Sequence, residues 1–195
     1  SRDGTVRVAP GAMVEADDGR ITLRAARTAD GRGLAVAPLD AAALQAAEVV
    51  LEAVQVYDGI ATIRSGASSG STLGMATVAA DNAAFAAAAH DALSVIGVGA
   101  NDVARFSLRA GVEVRSDAGL TLASAWNLAS ERPGGEAGVL TLRAAGTLTL
   151  AQGLSDGFLT PAASAGLLDD GRSWSLRLVG GADPGAADPM ATRAG

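Results

Sequence analysis

The sequence predicts an all-β dominated protein built as a parallel β-solenoid, and three observations lead to this fold class. Short segments in which apolar and polar residues alternate recur along the chain, each opened by a glycine. The corners between these segments mostly lack the dipeptides typical of tight hairpins. Of the 195 residues, 49% are hydrophobic but only 3% are aromatic, and 25 are glycines. The narrow interior of a stack of β-coils accommodates small and aliphatic side chains, which matches this composition.

The repeats are clearest in the second half of the chain. Residues 111–122 and 138–150 each contain two glycines eight residues apart, and residues 11–23 show the same spacing. Alternation with a period of two places the apolar side chains on one face of a strand, while glycine permits the backbone angles of a tight corner. The predicted inward-facing residues are Val112, Val114, Leu120, Leu122, Leu140, Leu142, Leu148 and Leu150.

An antiparallel meander, folded as a β-sandwich or barrel, is the alternative arrangement for such short strands. It requires hairpin corners, and of the corners inside the repeats only Asp18-Gly19 has a typical hairpin dipeptide. The equivalent glycines, Gly119 and Gly146, follow alanine. The solenoid is therefore the preferred prediction.

Two helical patterns interrupt the strands. Residues 40–47 predict a short helical turn capped by Asp40. Residues 81–96 predict a longer helix that Asp81 caps, with Gly97 in the position where glycine commonly ends a helix.

Breaks in the pattern divide the chain into four segments. One break is a change of phase in the alternation of residues 49–56, which predicts a corner near Ala53. We expect solenoid coils over residues 1–64 and 101–180, a loop and helical insertion or cap over residues 65–100 with its helical excursion around residues 75–97, and an irregular tail or linker over residues 181–195.

Composition excludes several classes of function. All 15 basic residues are arginine, cysteine is absent and there is one histidine, so thiol and lysine catalysis, disulfides and cysteine-based zinc sites are excluded. The formal net charge of −6 argues against a nucleic-acid partner. No run of about 18 apolar residues would span a bilayer, and the start has the character of a segment excised from a longer protein. We predict no catalytic residue, metal or cofactor.

A few polar residues resemble parts of a catalytic or metal site, but a structural interpretation is favoured for each. The aspartate pairs at 17–18 and 169–170 offer carboxylates for acid–base chemistry or calcium, yet Asp-Gly is also ordinary turn chemistry. His90 has a carboxylate beside it in a helical pattern, where adjacent side chains point apart. The hydroxyl and carboxylate of residues 155–157 have no histidine near them in sequence.

Aromatic and arginine residues are the candidates for binding at the surface. Exposed rings would form platforms for a sugar, whereas the favoured alternative is that the few rings anchor the core. Arginines at the polar strand positions would form a ladder that recognises an acidic glycan, whereas the favoured alternative is a solvated face paired with Glu113, Glu136 and neighbouring aspartates. The rings are Tyr57, Trp126, Phe158 and Trp174, and the arginines are Arg105, Arg109, Arg115, Arg143 and Arg177. Among them, Arg115, Arg143, Arg177, Trp126 and Trp174 are the candidate surface-binding residues.

The repeats also carry a resemblance to a known family. The segments Gly111-Val-Glu-Val-Arg-Ser, Gly138-Val-Leu-Thr-Leu-Arg-Ala-Ala-Gly-Thr-Leu-Thr-Leu150 and Leu154-Ser-Asp-Gly-Phe158 resemble the C-terminal region of filamentous haemagglutinin-family exoproteins. Trp174-Ser-Leu-Arg-Leu is similar to the next stretch of that region. The resemblance covers residues 105–190 well and the first hundred loosely. The family's N-terminal secretion domain and an Arg-Gly-Asp triplet are both missing from this segment.

This resemblance implies a right-handed parallel β-helix in a giant secreted or cell-surface bacterial protein. Proteins of this kind are exported by a two-partner system, through an outer-membrane transporter, and attach to host or bacterial cell surfaces, with glycans among the candidate receptors. We therefore expect a non-catalytic structural or adhesive segment that does not span a membrane. The alternatives are a carbohydrate-binding or carbohydrate-active β-helix of lyase or esterase type, and the stalk of a contact-dependent toxin-delivery protein.

Overall fold

The computed structural model describes residues 5–95, 97–99, 101–132, 136–156 and 173–193. Strands dominate these residues, and the paired strands form parallel sheets, which confirms the all-β prediction at this level. The chain divides into two compact units. Unit 1 comprises Ser1–Gln55 and Ala84–Ala110, and unit 2 comprises Val56–Ala83 and Gly111–Gly195.

Most of the strands are short. They are β1 (Val14–Glu15), β2 (Arg20–Ala26), β3 (Leu44–Gln45), β4 (Glu48–Tyr57), β5 (Thr62–Arg64), β6 (Thr72–Gly74), β7 (Phe106–Ser116), β8 (Leu120–Leu122), β9 (Trp126–Asn127), β10 (Val139–Ala144), β11 (Leu148–Leu150), β12 (Leu154–Ser155) and β13 (Ser175–Gly180). The α-helices are α1 (Met75–Ala87) and α2 (Ala89–Val95), and three short 3-10 turns cover Ala41–Ala43, Val103–Arg105 and Leu128–Glu131.

In unit 2, consecutive strands along the chain belong to different sheets. Strand β10 lies beside β7, β11 beside β8 and β12 beside β9, all in parallel. The paired residues are 28 positions apart in all three of these strand pairs, with Leu140 opposite Val112, Leu148 opposite Leu120 and Leu154 opposite Trp126. Three successive strands are therefore repeated after a constant length of chain.

Unit 1 contains the same spacing. Strand β4 lies parallel to β2 with Glu48 opposite Arg20, again 28 residues apart. The outward side chains of this pair form cross-strand ion pairs, with Arg20 Nε donating to Glu48 at 2.7 Å and Arg24 Nε donating to Glu52 at 2.8 Å. The alternate residues of both strands face the apolar core of unit 1.

The glycine-based alignment of the repeats is one residue out of step with the strand pairing. Aligning Gly119 with Gly146 would place Leu120 opposite Thr147, whereas Leu120 lies opposite Leu148. Gly146 instead donates its N–H to Ala118 O at 2.8 Å. Apolar alternation decides the register, because a slip of one residue would turn every inward side chain outward.

The predicted inward-facing residues form the core of unit 2. Val112, Val114, Leu120, Leu122, Leu140 and Leu142 are buried at 2% exposure or less, and Trp126 and Trp174 pack in the same cluster. Leu148 is half-buried, and Leu150 is exposed. Strand β13 extends the β7–β10 pairing in parallel, with Leu176 opposite Leu140. Sequence alternation therefore identified the core residues correctly, except at Leu148 and Leu150 in β11.

The predicted helix begins earlier than expected. Helix α1 starts at Met75, so Asp81 lies within it and is not a cap. The Asp81 carboxylate instead accepts a hydrogen bond from the Tyr57 hydroxyl at 2.7 Å. At the other end Gly97 has a φ of +91° and donates to Ser94 O, which is the C-terminal glycine geometry that the sequence predicted.

The two remaining local predictions have opposite outcomes. Asp40 caps the 3-10 turn Ala41–Ala43 as expected, with its carboxylate accepting from Ala42 N at 2.9 Å. The corner predicted near Ala53 is wrong, because β4 continues unbroken through it. Ala53 and Val54 point to opposite faces and both are buried, so the change of phase reflects a strand covered on both sides.

We expect Leu122→Asp to unfold the protein. Leu122 is fully buried, and an unpaired carboxylate there would cost about 3–5 kcal/mol or more. Leu150→Asp is the matched control, since Leu150 lies opposite Leu122 in the next strand but is 45% exposed. Urea unfolding followed by circular dichroism measures both variants at low protein concentration. Equal stability of the two would show that the inward row is not buried.

Candidate functional site

The most deeply buried charges lie in unit 2, on the outward face of β7 and β10. Glu113 and Arg143 are both at 0% exposure. Glu113 Oε1 accepts hydrogen bonds from Arg143 Nη1 at 3.0 Å and from Arg115 Nε at 2.6 Å. Arg115 also approaches Asp58, with 3.9 Å between Nη1 and Oδ1. Glu113, Arg115 and Arg143 are called the arginine–glutamate cluster below.

The C-terminal residues cover this cluster. Arg143 Nη2 donates to the carbonyl oxygen of Asp183 and, at 3.2 Å, to that of Asp188. The segment is fixed to the sheet at its start, where Ala182 N donates to Ala144 O at 2.8 Å. Residues 181–193 are irregular, as predicted, but they fold back over β10 and supply hydrogen-bond acceptors to a buried guanidinium.

The arginine ladder, which was the less favoured interpretation, is not formed. The favoured interpretation, a solvated face paired with Glu113, is correct for the pairing but wrong for Arg143, which is fully buried. Strand pairing places Arg115 beside Arg143, but it places Arg177 beside Thr141 and Val179 beside Arg143. Because Val139 lies opposite Ser175, Arg177 falls two residues before the position that lies beside Arg143. Arg143 is also inaccessible as a surface-binding residue, because the C-terminal segment covers it.

The other two arginines that the ladder interpretation included lie in unit 1. Arg105 hydrogen-bonds to the carbonyl oxygens of Leu44 and, at 2.6 Å, of Ala41. Arg109 Nη2 lies 3.7 Å from Glu48 Oε1. Arg105 thereby ties a 3-10 turn to the chain 61 residues away in sequence, so its role within unit 1 is structural.

The tryptophans are core residues and not sugar platforms. Trp126 is 3% exposed and Trp174 is 5% exposed, so neither presents a ring face to a ligand. Tyr57 is partly buried against the same cluster and donates its hydroxyl to Asp81. The favoured alternative, that the few rings anchor the core, is correct for these three. Phe158 lies outside the described residues.

A second polar cluster surrounds Asp156. Its Oδ2 accepts from Trp174 N at 2.7 Å, and its Oδ1 lies 3.3 Å from Arg132 Nη2. Arg132 also donates to the carbonyl oxygen of Asp156 at 3.1 Å. Sequence reasoning considered Asp156 as part of a hydroxyl–carboxylate pair and missed Arg132. The Asp156 carboxylate therefore links the residue before β13 to Arg132, which follows the 3-10 turn Leu128–Glu131.

Glu131 is a buried carboxyl group whose pKa is raised. It is 5% exposed, and burial raises the pKa of its carboxyl above the ordinary value of 4.5. The nearby indole N–H of Trp126 opposes this shift and lowers the pKa by a smaller amount. Nothing in the sequence around Glu131 distinguishes it from a solvated acidic residue, whereas the structure places it at the end of the 3-10 turn Leu128–Glu131 and buries it.

The remaining candidates show no catalytic arrangement. Asp17 and Asp18 are exposed and form a turn in which Asp17 has a φ of +35°, which is the predicted turn interpretation. Residues 169–170 and 157 lie outside the described residues, as does the side chain of His90. Among the residues that the structure describes, no group of three or more His, Cys, Asp or Glu side chains could hold a metal ion.

Described residues of unit 1 line a groove of about 530 Å³. Residues 8–13 form one wall, and Pro38, Leu39 and Asp40 lie on the other. The groove is mainly apolar, and the Asp40 carboxylate in it is engaged in capping the 3-10 turn. The other polar side chain at the groove is that of Gln45, and one amide does not identify a class of ligand.

Comparisons with protein-family models, with curated proteins and with solved structures found no match to this chain. The filamentous haemagglutinin hypothesis therefore rests on the sequence segments that resemble that family. Across the described residues, no helix is long and apolar enough to cross a membrane.

We expect Glu113→Gln to destabilise unit 2 by about 3–5 kcal/mol, because it removes the acidic partner of a fully buried arginine. Arg20→Ala is the control, since it breaks an exposed pair with Glu48 and should cost about 0–1 kcal/mol. Equilibrium unfolding in urea measures both variants. Similar small losses in the two variants would contradict the buried pairing.

Glu131→Gln should stabilise the protein in a pH-dependent way. The pKa of Glu131 is raised in the folded state, so the folded protein favours the protonated acid, and ionisation weakens folding as pH rises above 4.5. The two proteins should therefore be about equally pH-sensitive well below pH 4.5, with the variant gaining relative stability as pH rises towards about 7. Urea unfolding over a pH series measures this difference. A stability difference that stays constant with pH would contradict it.

Proposed function

We propose that this chain is a segment of a right-handed parallel β-solenoid that forms part of the shaft of a large secreted or surface-exposed bacterial exoprotein. The observation that carries the proposal is the 28-residue offset shared by three successive strand pairs, β7 with β10, β8 with β11 and β9 with β12. The same offset recurs between β2 and β4 in unit 1.

A constant offset supports coiling for a geometric reason. Each of three consecutive strands pairs in parallel with the strand that lies 28 residues later in the chain. The chain therefore passes through the same three sheets in the same order in each circuit. Parallel connections between strands of one sheet are right-handed in nearly all proteins, which supports the proposed handedness. The short corners between strands leave no room for crossover helices between β7, β8 and β9.

The buried polar groups support a structural role over a catalytic one. Glu113 and Arg143 neutralise each other inside the protein, and Asp156 bonds to Trp174 N and Arg132. Catalytic groups need access to a substrate, whereas these groups are committed to internal contacts. Their arrangement favours a rigid segment whose function lies in length and surface.

Adhesion is the role that best fits such a segment. The resemblance to filamentous haemagglutinins extends this proposal. It implies export through an outer-membrane transporter and attachment to host or bacterial cells, with a surface glycan as one candidate receptor. The acidic net charge of −6 fits a surface-exposed protein that avoids nonspecific binding to nucleic acid.

Cell binding tests this proposal. The fluorescently labelled chain should bind saturably to host or bacterial cells in flow cytometry, and unlabelled chain should compete with it. Leu122→Asp, which has nearly the same composition but should not fold, is the control and should not bind saturably. An antibody against the chain should also label intact cells of the producing organism. Absence of both saturable binding and surface labelling would overturn the adhesive role.

A further inference from the structure

Two Asp-Pro peptide bonds lie in the C-terminal segment of unit 2, and one buried arginine contacts both. Pro184 follows Asp183 and Pro189 follows Asp188, and the sequence contains no other Asp-Pro pair. Arg143 Nη2 donates to the carbonyl oxygen of Asp183 and, at 3.2 Å, to that of Asp188. The same guanidinium nitrogen therefore polarises the carbonyl group of each Asp-Pro bond.

An Asp-Pro bond is the peptide bond that an aspartate side chain breaks most readily. The carboxylate is attached to the same residue as the carbonyl carbon, so it attacks without having to be brought there and closes a strain-free five-membered ring. The proline nitrogen is part of a tertiary amide. It is more basic than an ordinary peptide nitrogen and leaves more easily once it takes a proton.

The Asp183 carboxylate is held alongside the bond that it would attack. Its Oδ1 accepts a hydrogen bond from Gly185 N at 3.0 Å, and this contact spans the Asp183–Pro184 bond in the manner of an Asx turn. The main chain is fixed on the other side, where Asp183 N donates to Ala191 O at 3.0 Å and Ala182 N donates to Ala144 O at 2.8 Å. The side chain and its own carbonyl group are therefore kept close together.

Arg143 supplies the positive charge that such an attack requires. Its side chain is at 0% exposure, so water does not screen it. Nη1 donates to Glu113, whereas Nη2 faces the carbonyl oxygen of Asp183. Glu113 also accepts from Arg115, so its negative charge is shared between two guanidinium groups. A charged donor placed on a carbonyl oxygen stabilises the oxyanion that forms when the carbonyl carbon is attacked.

We propose that unit 2 cleaves its own chain at the Asp183–Pro184 bond, with the Asp183 carboxylate as the nucleophile and Arg143 as the stabiliser of the oxyanion. This activity goes beyond the proposed shaft and is independent of adhesion. The substrate is the chain itself, so the buried groups need no access for an outside molecule.

The reaction is a hydrolysis in two steps. A carboxylate oxygen of Asp183 bonds to its own carbonyl carbon, and the bond from that carbon to the Pro184 nitrogen then breaks. The nitrogen keeps the electron pair and takes a proton from water, and Asp183 is left as a cyclic anhydride. The remaining hydroxide opens the anhydride, so one water molecule is consumed. One product ends at Asp183 and the other begins at Pro184.

The Asp188–Pro189 bond provides a comparison within the same protein. Asp188 is exposed, whereas Asp183 is half-buried and Pro184 is buried. Surrounding water weakens the effect of the guanidinium charge at the exposed bond. We therefore assign the cleavage to Asp183–Pro184.

Intact-mass spectrometry of the purified chain tests the cleavage. The chain is incubated at neutral pH at the highest temperature at which circular dichroism shows it to be folded, and a second sample is unfolded in urea. Cleavage after Asp183 should be about tenfold or more faster in the folded chain, because one preorganised oxyanion donor commonly contributes more than this. It should also be faster than cleavage after Asp188. No cleavage in the folded chain, or a folded rate no higher than the rate in urea, overturns the proposal.

Variants separate self-cleavage from a contaminating protease. Asp183→Ser should abolish the cleavage while keeping the turn, since a serine hydroxyl also accepts from the N–H two residues later but cannot close the five-membered ring. Asp188→Ser is the matched control and should leave cleavage after Asp183 unchanged. Cleavage that persists at the same bond in Asp183→Ser overturns the proposal.

Arg143→Met tests the role of the guanidinium. Cleavage should slow to the rate in urea in a variant that circular dichroism shows to be folded, and an unchanged rate would remove Arg143 from the mechanism. If this variant does not fold, the comparison of the natural chain with and without urea still decides the proposal. Cell binding is unaffected by any of these outcomes, so self-cleavage and adhesion are tested separately.

Discussion

The structure depends on one constraint, which is that aliphatic side chains from parallel strands 28 residues apart must lie directly beside one another. Val112 and Leu140, and Leu120 and Leu148, satisfy it in two different sheets. A slip of one residue in either sheet would expose a whole set of leucines and bury the polar residues between them. In the pairs β7–β10, β8–β11 and β9–β12 the chain therefore keeps a constant length between partners, and glycine-containing corners such as the one at Gly146 make this possible in few residues.

The outward face of β7 and β10 adds a second requirement. Glu113 and Arg143 are buried there, and a buried charge is tolerated only when its partners are close and its hydrogen bonds are made. Glu113 accepts from both arginines of the cluster, and residues 181–193 supply carbonyl oxygens to Arg143. The C-terminal segment is consequently a part of the fold on which the buried charges rely. This explains why an irregular sequence follows the last strand without being a simple linker.

Sequence alone predicted what depends on local alternation, and it failed where distant segments decide burial. Leu122 and Leu142 were identified as core residues because alternation is a local pattern. Arg143 follows the same alternation as a surface residue, but residues 40 and 45 positions further along the chain cover it. The helical excursion around residues 75–97 was located correctly, but Asp81 was wrongly assigned as the cap because aspartate is a common capping residue. Its carboxylate instead accepts a hydrogen bond from Tyr57. Trp126 and Trp174 were weighed correctly, since a chain with 3% aromatic residues tends to place its rings in the core.

Tandem duplication of one coil tests the central claim most directly. Inserting a second copy of residues 112–139 after residue 139 adds 28 residues, which is the offset between β7 and β10, between β8 and β11 and between β9 and β12. The account predicts that this protein folds with a β-rich circular dichroism spectrum and cooperative unfolding like the parent chain. A control duplication one residue shorter, of residues 113–139, should aggregate or unfold because it turns the inward leucines outward. Equal tolerance of both insertions, or failure of both, would contradict a fold built on this register.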